Sequence, residues 1–220
     1  MDKRPATEVF HDWALVGKDE GMERGHAASV SEMIEFISQK VTETGTSFTA
    51  VDVGCGNGWV VRQLLKNKNC EYAMGIDGAA AMIAKAREID GNSDYILAEL
   101  PDFIPDRRFD YIHSMEFLYY LEDPENMLKL FYRDWLQKEG WAVIGIDHYA
   151  ENVESLTWPE YVGVEMATRT IDQWHQAWQD AGFSNIQHWI AGGEDGVTLV
   201  FAGQKSVSYT HLRAHETCVH

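Results

Sequence analysis

The chain has 220 residues, 35 acidic against 18 basic side chains, and a formal net charge of -17 at pH 7. That length suits one α/β domain with a full core rather than two domains. An acidic surface without a basic stripe repels a phosphate backbone, which excludes nucleic acid as a partner.

No apolar run approaches the ~18 residues a membrane span requires. Residues 1–5 carry charge and no apolar leader, so the expected location is the cytoplasm. Cys55, Cys70 and Cys218 offer neither a C-x-x-C metal spacing nor a disulfide framework. That usage fits a reducing compartment, and no metal is expected.

Residues 1–25 read as a polar, irregular cap segment attached through Phe10, Trp13 and Leu15. From Val30 the apolar positions Met33, Ile34, Ile37 and Val41 follow helical rows, and the helix should end near Thr44 and Gly45. Residues 48–53 form a predicted strand, followed by the loop Gly54, Cys55, Gly56, Asn57, Gly58 and a helix over 59–66. Glycines at alternate positions let a ligand approach bare backbone. The helix start at Asn57 or Gly58 would offer unpaired N–H groups suited to a carboxylate or phosphate.

A second strand is predicted at 72–76, closed by Asp77, then an alanine-rich helix over 78–88 and a short strand at 95–98. After a turn-rich stretch, 109–115 is a fourth strand. Asp123 followed by Pro124 opens a helix expected to stop at Gly140. The apolar run 141–146 reads as a strand covered on both faces. Periodicity is lost over 148–169, a segment long enough to be a substrate lid. A helix over 170–180 opens with a Thr170/Gln173 capping box, and 186–190 with 197–203 read as an antiparallel hairpin.

Strand–helix alternation implies parallel strands with right-handed crossovers and helices on both faces. Ligands on such sheets bind beyond the carboxyl ends of the strands, where 54–58, Asp77, Glu99 and Ser114 all fall. A dinucleotide fingerprint would need glycine at position 59, which is Trp59, and no Gly-Lys-Ser/Thr follows for a phosphate loop.

The pattern that fits is D-x-G-x-G-x-G, Asp52 to Gly58, and here the sequence resembles the class I S-adenosylmethionine-dependent methyltransferases over about residues 20–203. The resemblance implies an α/β, doubly wound, seven-stranded, mostly parallel sheet of order 3-2-1-4-5-7-6 with strand 7 antiparallel. It also implies a domain over 26–205 that binds S-adenosylmethionine. Asp77 matches the acid that grips the ribose hydroxyls, Met82 the residue on the adenine, and Glu99 the acid near the adenine amino group. Asp52, Gly54, Cys55, Gly56 and Gly58 form the loop, and Gly78, Leu100 and Ser114 complete the expected cofactor site.

A methyl sulfonium is already activated, so proximity and orientation carry much of the catalysis and a base is optional. Candidates to face the acceptor are His148 after the fifth strand, Tyr119 or its neighbour Tyr120 after the fourth, and His26 before the first long helix. His113 reads as a packing residue. The expected activity is methyl transfer to a small-molecule acceptor. A non-catalytic cofactor-binding protein on the same fold, or a nicotinamide-dependent oxidoreductase, stands as the alternative. Neither the methylated atom nor the oligomeric state is legible.

Finally, residues 207–217, VSYTHLRAHET, resemble one reading frame of the transposon-end adapter used in sequencing libraries. Residues 206–220 are therefore expected to be a non-native tail, and the i, i+4 pair His211 and His215 is discounted as a metal site.

Overall fold

The computed structural model describes residues 3–206. The His211/His215 pair and all of the expected tail except Ser206 lie outside the described residues. Among the described residues no helix is long and apolar enough to cross a membrane.

Seven strands form one sheet of order β3-β2-β1-β4-β5-β7-β6, with β1 Phe48–Val53, β2 Cys70–Asp77, β3 Asp94–Leu97, β4 Phe109–Met115, β5 Leu136–Ile146, β6 Ser184–Ala191 and β7 Thr198–Gln204. Strands β3, β2, β1, β4 and β5 pair in parallel, whereas β7 runs antiparallel to both β5 and β6. The order and the hairpin match the expectation. The central strands β1 and β4 are buried nearly throughout, as strands covered on both faces must be.

Two apolar layers flank this sheet. On one side α2 Asp19–Thr44, α3 Trp59–Leu64 and α4 Ala80–Ile89 bury residues such as Met33, Ile37, Val61, Leu64 and Ile83. On the other, α5 Pro124–Leu130 and α6 Ile171–Ala181 seat Leu128, Trp174 and Trp178. The cap signals behave as read: Asp123 accepts from Asn126 N, Thr170 and Gln173 form the capping box, and Gly182 ends α6 with a left-handed φ of 101°.

Three expectations are corrected. Most of the 1–25 segment is helical rather than irregular, as α1 Ala6–Leu15 and, after a turn over 16–18, the start of α2 at Asp19. Gly21 and Gly25, each worth ~1 kcal/mol against a helix, hide that start in the sequence. Leu15 is 70% exposed and attaches nothing, while Phe10 packs edge-on against Tyr120, with ring centroids 5.1 Å apart.

The helix before β5 ends not at Gly140 but in a wide turn, Phe131–Trp135. Gly140 lies inside β5, where an added Cβ would come within 2.9 Å of Asp110 O. With Glu139 at φ 64° and a register shift opposite, this is a strand irregularity rather than a helix stop.

Candidate functional site

At the carboxyl edge of β1, β2 and β4 lies a cavity of ≈ 300 Å³. Its floor is the loop after β1. Gly54 N and Cys55 N both donate to Ile76 O, and Gly56 N donates to Asp77 Oδ2 at 2.9 Å, so the loop is tied to the end of β2. Gly56 and Gly58 both have left-handed φ, 52° and 76°, but they serve different ends. A Cβ on Gly56 would meet only Met82 Sδ, at 3.8 Å, and would otherwise project into open space. A Cβ on Gly58 would stand 2.3 Å from Tyr95 Cε1.

The expectation of free N–H groups at the helix start holds only in part. Trp59 N donates to Asn57 Oδ1 and Gly56 N to Asp77, so two of these groups are engaged within the loop, and α3 is only 6 residues long. What faces the cavity is carboxylate: Asp19, Glu23, Asp52, Asp77, Glu99 and Glu116 line it, and among the described residues no Lys or Arg does. Such a lining disfavours a pyrophosphate and suits a cationic ligand that offers hydroxyl and amino hydrogens.

Asp77 is fixed for that purpose. Its Oδ1 accepts from Ala79 N at 2.7 Å and its Oδ2 from Gly56 N, leaving each oxygen a lone pair. Burial raises its pKa to about 6; the nearby Asp52 and Glu99 charges push the same way, and the two N–H bonds oppose them. Asp52 is held in turn by the buried His113, Nδ1 to Oδ1 2.8 Å, across the β1–β4 pair.

The cavity's remaining wall comes from the N-terminal helices. Asp19, 3% exposed, takes Asn57 Nδ2 at 2.9 Å and Lys85 Nζ at 2.8 Å, so α2 is pinned to both the glycine loop and α4. Thr7 of α1 sits where a side chain on Gly78 would go, 2.5 Å from the added Cβ.

The structure thus brings Asp52, Gly54, Cys55, Gly56, Asp77, Gly78, Met82, Glu99, Leu100 and His26 to one cavity. Others fall elsewhere. Gly58 is buried beneath the loop against Tyr95. Ser114 is fully buried and donates to Val53 O at 2.7 Å, stitching β4 to β1 instead of facing a ligand.

His148, expected to face the acceptor, is fully buried and not part of the cavity wall. Burial lowers its pKa, against the opposing effect of Ser155 O. The neutral ring donates from Nδ1 to that carbonyl at 3.0 Å and accepts at Nε2 from Thr168 Oγ1 at 2.8 Å, so it fastens the 148–169 segment. None of residues 148–169 lines the cavity. Tyr119 is likewise buried off the wall, and its hydroxyl donates to Glu116 Oε2 at 2.5 Å. Its neighbour Tyr120 reaches the cavity.

Two acids at the site were not among the sequence candidates: Glu116 and Asp147. Glu116, at φ 56°, follows β4 and lines the cavity; its Oε1 accepts from Asp147 N. Asp147 follows β5 and lies 3.5 Å from His26 Nε2. The His26 nitrogen and one oxygen each from Glu116 and Asp147 lie within 4.8 Å of one another. Burial, then the Asp147 charge, raises the Glu116 pKa to about 8 against His26, Tyr119 and the Asp147 N–H. For His26 burial works against the charged form, but the Asp147 and Glu116 carboxylates outweigh it and the pKa rises. The signal available in sequence was position alone: an acid immediately after a strand at the ligand edge.

This sheet order, with an acid-lined cavity over a glycine loop, defines a class I methyltransferase. A methyltransferase domain model matches residues 23–188, and the chain belongs to that family; the cofactor its cavity fits is S-adenosylmethionine. A curated relative, malonyl-[acyl-carrier protein] O-methyltransferase 1 of Ilyobacter polytropus, is 24% identical over 162 residues, 71% of this chain and 58% of the relative. The chain thus spans little more than half that protein's length.

Among solved structures, the complex between the Haloferax volcanii Trm112 methyltransferase activator and its methyltransferase matches with a TM-score of 0.78 at 23% identity, over 90% of this chain and 98% of that one. The N-methyltransferase NodS of Bradyrhizobium japonicum, in complex with S-adenosyl-l-homocysteine, matches with a TM-score of 0.59 at 16% identity, over 80% and 86%. These likenesses carry the fold.

Proposed function

We propose that the protein transfers a methyl group from S-adenosylmethionine to a small-molecule acceptor. The observation that carries the reading is that the glycine loop, Asp77 and Glu116 all face one cavity, over which α1 and α2 are fastened. Asp77 offers two acceptor oxygens held by backbone N–H groups, Met82 an apolar face, and Glu99 an acid at the rim. When bound, the cofactor supplies an activated methyl group on a sulfonium sulfur. The chain's part is to position an acceptor beside it and to exclude water, which is where most of the barrier lowering comes from.

Residues Phe10, Phe117, Tyr120 and Met22 close the cavity with apolar and aromatic surface, a lining suited to a compact guest. To test this, the protein is incubated with methyl-labelled cofactor and a cell extract, and the products are separated by size. Label in the low-mass fraction supports the reading. Label confined to protein or RNA contradicts it, and cofactor binding without any transfer favours a non-catalytic binding protein.

A second reading adds a protein partner, because the Haloferax volcanii relative was solved with an activator. Co-purification of this chain with a small companion from its native cells would support that reading, and a lone monomer by light scattering would oppose it.

A further inference from the structure

We propose that the acceptor is an amine, docked as an ammonium group against Glu116 and relieved of its proton there, with His26 and Asp147 holding that carboxylate's surroundings. The inference deepens the methyl-transfer reading above and rests on it.

Cofactor recognition leaves part of the cavity's charge unexplained. Asp52, Asp77 and Glu99 are the acids that the methyl-transfer reading gives to the cofactor, and Asp19 is paired with Lys85. Glu116 shares its one counterpart: among the described residues the basic side chain lining the cavity is His26, which lies 3.5 Å from Asp147 and in the same cluster as Glu116, so two carboxylates face one imidazole. An anionic acceptor would meet repulsion and no arginine fork. A cation would meet Glu116 and the rings of Phe10, Phe117 and Tyr120, surfaces that attract positive charge.

A second observation points the same way. Asp147 is only 8% exposed, yet among the described residues its Oδ1 has no hydrogen-bond partner. A buried carboxylate oxygen left unpaired is costly, and a donor arriving in the cluster would satisfy it.

Glu116 is also held for the task. Asp147 N–H and Tyr119 O–H each occupy one of its oxygens, leaving a lone pair on each for the guest. The groups facing it are His26 from α2, Asp147 beyond β5, and Tyr119 and Tyr120 from the turn after β4. Its burial and the Asp147 charge favour the protonated form. An ammonium guest reverses that balance, so docking expels the Glu116 proton.

The ionised carboxylate then takes one N–H proton from the ammonium. The freed nitrogen lone pair forms the N–C bond as the methyl–sulfur bond breaks and its electron pair stays on sulfur. A methylated ammonium, a neutral thioether and a protonated Glu116 result.

The test uses the full chain saturated with S-adenosylhomocysteine and titrated calorimetrically near neutral pH. Matched probes are n-propylamine, n-propanol and propionate, and phenethylamine, 2-phenylethanol and 3-phenylpropionate. In each set the amine should bind about tenfold or more tighter than its partners, with a buffer-dependent heat that reports proton release. Glu116→Gln should weaken amine binding roughly ten- to hundredfold, the worth of a hydrogen bond to a charged group, and abolish the proton release. The buffer-dependent heat is read on the unsubstituted chain, so it stands even if the variant folds poorly. An alcohol or carboxylate that binds as tightly as its amine, amines that fail to bind at millimolar concentration, or amine binding unchanged in Glu116→Gln would each overturn the proposal. Failure of S-adenosylhomocysteine itself to bind would sink the underlying methyl-transfer reading instead.

Discussion

Gly56 and Gly58 stand two residues apart in one loop, and replacing each by alanine should separate stability from binding. At Gly58 the left-handed φ of 76° costs an L residue about 1–2 kcal/mol. The new methyl would also lie 2.3 Å from Tyr95 Cε1 and 2.8 Å from its Oη. Tyr95 is buried and cannot swing away, so overpacking adds about 1–3 kcal/mol. The sum, about 2–5 kcal/mol, corresponds to a fall in melting temperature on the order of 10 °C for a chain of this size.

At Gly56 the strain is similar, but its methyl meets nothing closer than Met82 Sδ at 3.8 Å. The melting temperature should fall by only about 2–8 °C, yet the methyl projects into the cofactor cavity and should weaken binding about tenfold or more. Thermal melts and calorimetric titration with S-adenosylhomocysteine read the two effects separately. Equal melting shifts in the two variants, or full affinity retained in Gly56→Ala, would refute the assignment of the two glycines.

Three further outcomes follow from the site. Cofactor grip needs Asp77 ionised, and its pKa is raised to about 6 by burial; affinity should be level above pH 7 and fall up to about tenfold per unit below 6, a dependence that Asp77→Asn should remove from calorimetric titrations. Because the folded state binds that proton more tightly than the unfolded chain, the protein without cofactor should gain stability from this group as pH drops from about 6 to 4. Asp19→Ala strips the bonds to Asn57 and Lys85 and should cost about 2 kcal/mol, seen as a melting shift of roughly 4–8 °C together with weaker cofactor binding; an unchanged melt would show that α2 is not pinned there. His148→Ala should cost about 2–4 kcal/mol by emptying a buried, doubly bonded site, while turnover well below the melting temperature stays within about threefold; a hundredfold loss in kcat would return His148 to the reacting groups.

The fold was legible because its signals are local and redundant. The loop from Asp52 to Gly58, the Asp123-Pro124 start and the Thr170/Gln173 box each announce an element without tertiary help, and their order dictates the sheet. The residues that line the cavity were legible for a similar reason: Asp77 ends a strand, Glu99 follows one and Met82 lies in the first turn of a helix, all positions that the pattern exposes.

The acceptor side was not. His148 looked available because it follows a strand, but only packing shows its two nitrogens engaged by Ser155 and Thr168. The helix over Asp19–Thr44 begins with two glycines and few apolar residues, so its start depends on the Asp19 contacts with Asn57 and Lys85, 38 and 66 residues away. Glu116 and Asp147 come together only because β4 and β5 are neighbours in the sheet. Such pairings across the chain leave no periodic trace.

The most direct measurement is a calorimetric titration of the purified chain and its Asp77→Ala variant with S-adenosylmethionine, S-adenosylhomocysteine and NAD. One molecule of either S-adenosyl ligand should bind per chain, NAD should not, and Asp77→Ala should lose that binding while still melting cooperatively. Binding of NAD in preference, or S-adenosyl affinity untouched by the loss of Asp77, would contradict the central claim.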